Sequence, residues 1–400
     1  MISSGLWWAF VVLSPIGYWL MPQKIRTGAL ALVSFAVLMY YAPADIATLA
    51  ALATFVYLSH QYSTETEGLL GQFARIGRSP IPLFTVIAYF LYSKYLPSVM
   101  LVWGREASFL DFAIPIGISY FTFKLLHYSI ERGRGNIDHH SFVDFGAYMF
   151  LPQIFVAGPI ERFDHFIANR GQKFEWLFAQ EGIQRIFQGL VKKFVIAASV
   201  SIILDRLFDG GSVGIAENVE DYAFYMIWIA LFLEVAYVYF DFAGYSDIAI
   251  GASRLLGFKI MENFNVPYLA TSLRDFWARW HMTLASWVLT YVYLPLVAQT
   301  RNPYISIIAA FAVVGAWHAA WPIHWVIWGL WHGVGLAVII WWTQQFRKRR
   351  SKFLQRPVSV FFGRVITLCY VALGGVFVSF YEDGSLMAPL RVIAGALGLA

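Results

Sequence analysis

The chain has 400 residues, of which 59% are hydrophobic and only 13% charged, with a mean hydropathy of +0.60. A soluble domain carries roughly 25% charged and 45–50% apolar residues, so composition excludes an ordinary globular protein and implies an all-α polytopic membrane protein in contact with the lipid bilayer. The formal net charge of +5 calls for no nucleic acid, because its densest cluster, Arg347 to Arg350 with Lys352 and Arg356, is the basic excess that cytoplasmic loops carry; the single cysteine, Cys369, excludes an internal disulfide and a Cys-based metal site.

A helix needs about 20 mostly apolar residues to cross the hydrocarbon. Spans are predicted near 6–21, 28–43, 45–62, 81–101, 109–130, 142–158, 187–207, 221–250, 283–299, 303–321, 323–345 and 359–381. The first reads as a span rather than a cleaved signal, since Met1 to Gly5 contains no basic residue. Breakers interrupt the runs at Ile114–Gly117, Ala157–Pro159 and Trp321–Pro322. Between 172 and 190, Ile183, Ile186, Phe187 and Leu190 stand at helical spacing. That fits either an amphipathic helix along the membrane surface or the polar start of the next span. The piece 388–400 is too short to span alone and reads as a re-entrant end or part of a longer protein. No soluble domain or repeat interrupts the chain, so 1–400 reads as a single domain.

Lys24 and Arg26, Arg75 and Arg78, Arg132 and Arg134, and the 347–356 cluster fall on one side if the spans alternate, and that side is expected to be cytoplasmic. The same count places 251–282 outside, although it holds Arg254, Lys259, Arg274 and Arg279. That loop is expected to re-enter the protein interior, the one setting in which irregular backbone is tolerated at membrane depth.

The chemistry concentrates in 274–333. Three of the nine histidines directly follow a tryptophan there: His281, His318 and His332. An ionisable side chain at membrane depth is by default a functional-site hypothesis. His318, within an apolar run, reads either as a general base with one ring nitrogen free to take a proton, or as a core histidine bonded to a backbone carbonyl. His281 closes the segment Arg274 to His281. If that segment is helical, Trp277 and His281 share one face and Asp275 and Arg279 pair on another. His281 then lines a cavity, or the segment is an interfacial helix with a surface histidine. Asp241 and Asp247 end an apolar run, and their favoured reading is structural, neutralising Arg274 or Arg279. A metal site from His281, His318 and His332 lacks any HxxxH or HxxE pairing, so none is expected. His139 and His140 read as a solvated pair, and Asn263 to Tyr268 as a turn without chemistry of its own.

Several of these segments together resemble the membrane-bound O-acyltransferase family, in the bacterial branch that acetylates alginate or D-alanylates teichoic acid. The resemblance runs from about Ile114 to Phe380. It is carried by Pro115–Phe121 (PIGISYF), Ala157–Phe163 (AGPIERF), Tyr239–Asp247 (YFDFAGYSD), Met261–Phe264 (MENF), Asp275–Leu284 (DFWARWHMTL) and Gly315–His318 (GAWH). The resemblance implies a bundle of about 11–13 tilted transmembrane and re-entrant helices with a central funnel in a bacterial inner membrane. His318 matches the family's catalytic histidine and His281 the second polar residue of the pair. It also implies O-acyl transfer from a cytoplasmic thioester, on an acyl carrier protein's phosphopantetheine or on coenzyme A, with no bound cofactor. The acceptor is a hydroxyl of an envelope polymer or of an extracytoplasmic partner protein. His281 or Trp317 would face the developing oxyanion. Ala278, Leu289–Thr290 and Ala319 depart from the family pattern. The rival class is a transporter or flippase of an envelope precursor, which predicts matching halves with paired broken helices; no such halves are visible.

Overall fold

Apolar runs punctuated by Pro and Gly give helices throughout the computed structural model, which describes residues 2–61, 76, 79–102, 114–170, 172–318, 323–346, 357–380 and 386–399. Among the described residues there is no strand. Five helical stretches are long and apolar enough to cross a membrane: Trp176–Glu217, Phe224–Leu255, Met282–Thr300, Ile323–Gln345 and Pro357–Ser379. Gly5–Leu20 and Pro303–His318 are shorter apolar helices. The protein is thus all-α and multi-pass, as its composition implies. The break at Trp321–Pro322, the 347–356 cluster, and Arg75 and Arg78 lie outside the described residues.

Two compact units divide the chain. The first holds Met1–Gln188 and Ser246–Met261. Its helices are α1 (Gly5–Leu20), α2 (Gln23–Tyr41), α3 (Pro43–Gln61), α4 (Ile81–Val102), α5 (Ile118–Gly133), α6 (Phe142–Met149), α7 (Phe163–Ala168) and α8 (Trp176–Leu190). The break at Ile114–Gly117 forms as expected. Gly117 adopts φ 74° at the start of α5, and a Cβ there would lie 2.7 Å from the Phe155 ring. The predicted span over 142–158 does not form. α6 stops at Met149, Pro152 opens a 3₁₀ turn, and the backbone stays irregular to Arg162; Pro152 and Pro159 each lack a backbone donor and Gly158 is a weak helix former, so together they disfavour a continuous helix.

The interior of this unit contains charge. Glu161 is fully buried; it accepts from the Met261 amide at 2.8 Å and bonds to His165 Nδ1. Lys124, 1% exposed, donates to the carbonyls of Tyr148 and Met149, and the Tyr148 hydroxyl donates to the Glu161 carbonyl at 2.9 Å. A buried charge survives only with such partners. Asp247 pairs with Arg185 at 2.8 Å. His140 corrects the expectation of a solvated pair. It is 6% exposed, packs on Phe163 and bonds Asp138 O at 2.8 Å and the Tyr128 hydroxyl at 3.1 Å. Burial pulls its pKa below the ordinary histidine value.

The second unit holds Gly189–Tyr245 and Glu262–Ala400. After a π-helical turn (Val191–Ala197) come α9 (Ala198–Leu207), α10 (Gly211–Glu217), α11 (Phe224–Leu255, which belongs here as far as Tyr245), α12 (Leu273–Trp277) and α13 (Met282–Val288). A second π turn (Leu289–Tyr293) leads to α14 (Leu294–Thr300), α15 (Pro303–His318), α16 (Ile323–Gln345), α17 (Pro357–Ser379) and α18 (Met387–Ala396). The helix is continuous from α8 through the π turn into α9, so 176–190 is the polar start of a span. Its apolar Ile183 and Phe187 face outward, 63% and 65% exposed, while Gly182 and Gly189 form its buried face.

Two packing devices carry the second unit. Phe208, Ile215, Ile227, Leu231, Val376 and Val392 form one core linking α10, α11, α17 and α18. Leu273, Phe276, Phe311, Leu336 and Val371 form another, which seats short α12 among α15, α16 and α17. α15 and α16 meet backbone to backbone: a Cβ on Gly315 would collide with the Trp325 carbonyl, and one on Gly329 with that of Phe311. Small residues permit this approach where lipid supplies no hydrophobic drive. It brings the C-terminal end of α15 against the start of α16.

Candidate active site

α12 begins as its sequence suggests. Ser272 caps it, accepting from the Asp275 amide at 3.2 Å, while Asp275 accepts from Thr271 N at 3.1 Å and from Arg279 Nε at 2.7 Å. The predicted Asp275–Arg279 pair therefore forms. The predicted shared helical face of Trp277 and His281 does not, because the helix ends at Trp277 and His281 sits in the left-handed region with φ 45°. A non-glycine residue there is uncommon and needs surrounding support. The support is the segment Asn263–Asn265. Met282 N donates to Asn263 O at 2.9 Å, and Asn265 N donates to Arg279 O at 2.9 Å.

Asn263 also fixes the ring. It is fully buried, and its Oδ1 receives His281 Nδ1 at 2.9 Å and the Thr283 hydroxyl at 2.8 Å. An amide oxygen only accepts, so Nδ1 carries the hydrogen and Nε2 carries the lone pair. Asn263, read from sequence as a turn residue, is thus the group that sets the tautomer of His281. Phe242 packs edge-on against the same ring at 4.9 Å.

His318 ends α15 and is half-buried. Trp325 stacks on it at 4.3 Å and 17°, and Trp328 meets it edge-on at 5.5 Å. Buried Trp317 meets it edge-on at 4.6 Å. His332, one of the Trp-His pairs, is 1% exposed among Trp277, Trp328 and Tyr370.

These side chains converge on one cavity of about 340 Å³. His281, His318 and His332 all line it, with Trp277, Trp280, Trp325 and Trp328 as aromatic walls. Asp241 and Glu234 supply its carboxyl groups from one face of α11. A second cavity of about 670 Å³ is lined by Arg274, Ser286, Tyr293 and Gln344, and Trp277 borders both. No group of three His, Cys, Asp or Glu among the described residues has the geometry of a metal site.

The expected charge pairing is corrected. Asp241 pairs with Lys193 on the π turn and Asp247 with Arg185, rather than with Arg274 or Arg279. Both carboxylates sit on faces of α11 where glycines bring a partner helix into contact: Gly244 on the Gly189 carbonyl, Gly251 on that of Gly182. Arg279 is taken by Asp275, and exposed Arg274 lines the larger cavity. Sequence reasoning missed Glu234 and Lys193. A lone carboxyl inside the run 224–238 was the available signal for Glu234. Outside the spans, the Tyr268 hydroxyl donates to Val235 O at 2.7 Å, and burial raises its pKa.

Residues 7–381 match the sequence profile of MBOAT, and the chain belongs to this membrane-bound O-acyltransferase family. It is 34% identical to a probable alginate O-acetylase of Pseudomonas aeruginosa over 63% of this chain and 49% of that protein. It is 28% identical to a peptidoglycan O-acetyltransferase of Helicobacter pylori over 79% of this chain and 63% of that protein. To a teichoic acid D-alanyltransferase of Streptococcus thermophilus it is 30% identical, over 69% of this chain and 68% of that protein. The chain therefore spans about half the length of the alginate relatives it matches.

Proposed function

We propose that the protein is an O-acyltransferase of a bacterial inner membrane, moving an acetyl or D-alanyl group from a cytoplasmic-side thioester to a hydroxyl of an envelope polymer or an extracytoplasmic partner. The observation that carries this reading is the convergence of His318 and His281 on one cavity, on a chain of this family. The basic loops support a cytoplasmic donor side, on an acyl carrier protein or coenzyme A. The larger cavity beyond Trp277 is the donor side, and the histidine cavity receives the acceptor.

In this mechanism the acceptor oxygen attacks the thioester carbonyl carbon as His318 takes the hydroxyl proton. The C–S bond then breaks, and the proton passes to the departing thiolate. An alcohol is a far weaker acid than imidazolium, so proton transfer accompanies attack. His281, its Nδ1–H committed to Asn263, presents a lone pair from Nε2 and orients the acceptor hydroxyl rather than donating to the oxyanion. The buried Nε1–H of Trp277 is without a partner among the described residues and borders both cavities. It is the better donor to the developing oxyanion, in a site where low dielectric strengthens such a bond.

The test is mass spectrometry of envelope polymers from cells with and without the protein, repeated with His318→Ala at equal membrane abundance. Loss of one acyl modification in both strains supports the reading; an unchanged pattern in both overturns it.

A further inference from the structure

Away from the histidines, the first unit holds an apolar groove between α1 and α2, with a volume of about 320 Å³. Leu6, Phe10, Leu13 and Gly17 line it from α1, and Ala29 and Val33 from α2. Leu13 and Val33 are exposed, so the groove opens sideways to the hydrocarbon. Arg26 stands at one end of it. Its guanidinium lies over the rings of Tyr18 and Trp19, at 5.2 and 5.0 Å. Among the described residues no carboxylate pairs with it. Its terminal nitrogens reach the carbonyls of Gln172 and Met21 at 3.5 and 3.2 Å, and its Nε is buried without a partner. Within the groove the buried Ser14 hydroxyl is also unmatched among the described residues. Such atoms are costly until a ligand meets them. The end that carries Arg26 has the marks of headgroup level. Lys24 and Lys173 are exposed there, and Trp19, Phe174 and exposed Trp176 stand ring to ring, at 5.3 and 5.2 Å.

We propose that this groove binds one anionic phospholipid of the surrounding bilayer, its phosphate on Arg26 and one acyl chain laid between α1 and α2. The phosphate oxygens accept charge-assisted bonds from Nε and a terminal nitrogen of the guanidinium, whose planar fork suits them. The Ser14 hydroxyl donates to an ester carbonyl, which lies deeper than the phosphate in a glycerophospholipid. From Met21 and Arg26 to Leu6 and Val37 the lining covers about 17–22 Å along the two helices. That is enough for the roughly 15 Å of hydrocarbon in one leaflet. A basic group at headgroup level above an apolar slot selects a lipid of net negative charge over a zwitterion with the same chains. A free phosphate ion would meet Arg26 but leave the slot empty, without the gain from covering apolar surface.

Native mass spectrometry of the purified chain tests this. The protein in detergent is titrated with dioleoyl phosphatidylglycerol or dioleoyl phosphatidylcholine, each with and without inorganic phosphate. The first phosphatidylglycerol is expected to bind about fivefold more tightly than the first phosphatidylcholine, the gain one basic residue supplies near the surface. Arg26→Gln should remove that preference by weakening phosphatidylglycerol alone. A Cβ on Gly17 meets nothing within 4 Å, so Gly17→Leu grows into the open groove. It should weaken both lipids about tenfold, with thermal unfolding in lipid-free detergent close to wild type. Gly17→Leu carries the test alone where Arg26→Gln fails to fold. Equal binding of the two lipids by wild type, a preference that survives Arg26→Gln, or wild-type affinities in Gly17→Leu overturns the proposal. Displacement of the lipid by inorganic phosphate also overturns it, as does a dimer that Gly17→Leu dissociates while lipid binding persists.

Discussion

Both units bury ionisable side chains, and they do so to different ends. In the first unit, Glu161, Lys124 and His140 are each met by hydrogen bonds from neighbouring backbone or side chains. In the second, His281, His318 and His332 surround open space, and the Trp277 and His332 ring nitrogens left unmatched border it. Those three groups of the first unit are bonded to their neighbours and hold loops together. Those in the second are presented to a space of ligand size. Burial of a charge alone does not mark a functional site; burial beside a cavity with polar capacity left over does.

Variants can break or sharpen this contrast. The largest effect is expected from His281→Ala, which should lower the acyl-transfer rate by on the order of 10²–10⁴-fold with unfolding temperature nearly unchanged, read in a purified transfer assay. Asn263→Ala should follow, with a loss of up to about 100-fold. It removes the acceptor that holds His281 Nδ1–H and frees the ring to change tautomer, so Asn263→Asp should restore part of the rate. In the first unit the pattern should invert. Glu161→Ala strips the Met261 amide and His165 of their acceptor and should cost about 3 kcal/mol of stability. The rate per folded molecule should fall far less than in the cavity variants.

The smallest effect concerns pH. The hydrogen bond from Glu161 is the main cause that raises the pKa of His165 above the ordinary 6.5. A raised folded-state pKa stabilises the protein fully below 6.5 and loses that contribution as pH climbs through the folded value. Thermal unfolding between pH 6 and pH 9 should therefore show a decline that His165→Gln flattens. The imidazole is one-third exposed, so the contribution is about 1 kcal/mol or less.

Helices at long apolar runs were legible, since hydropathy alone dictates them: 323–345 is found as predicted, and 359–381 forms as Pro357–Ser379. The span over 142–158 was not, because its apolar residues hid how strongly Pro152, Gly158 and Pro159 act together. Of the candidate site, the two Trp-His pairs at His281 and His318 stood out, since polarity inside apolar sequence is visible one residue at a time. Their relation to Asn263 was not visible, because a left-handed turn at His281 folds the chain back across eighteen residues. Charge partners were misassigned for a similar reason. Sequence shows which charges need balancing, but contacts at Gly189 and Gly182 decide which cations reach Asp241 and Asp247. His332, the third of the Trp-His pairs, also lies on the cavity wall.

The most direct measurement is the rate at which labelled acyl groups leave a thioester donor and reach an acceptor in membranes containing wild-type protein or His318→Ala, at matched abundance. The account predicts that the variant stays folded and membrane-inserted while transfer falls to background. Wild-type transfer rates in His318→Ala would contradict it.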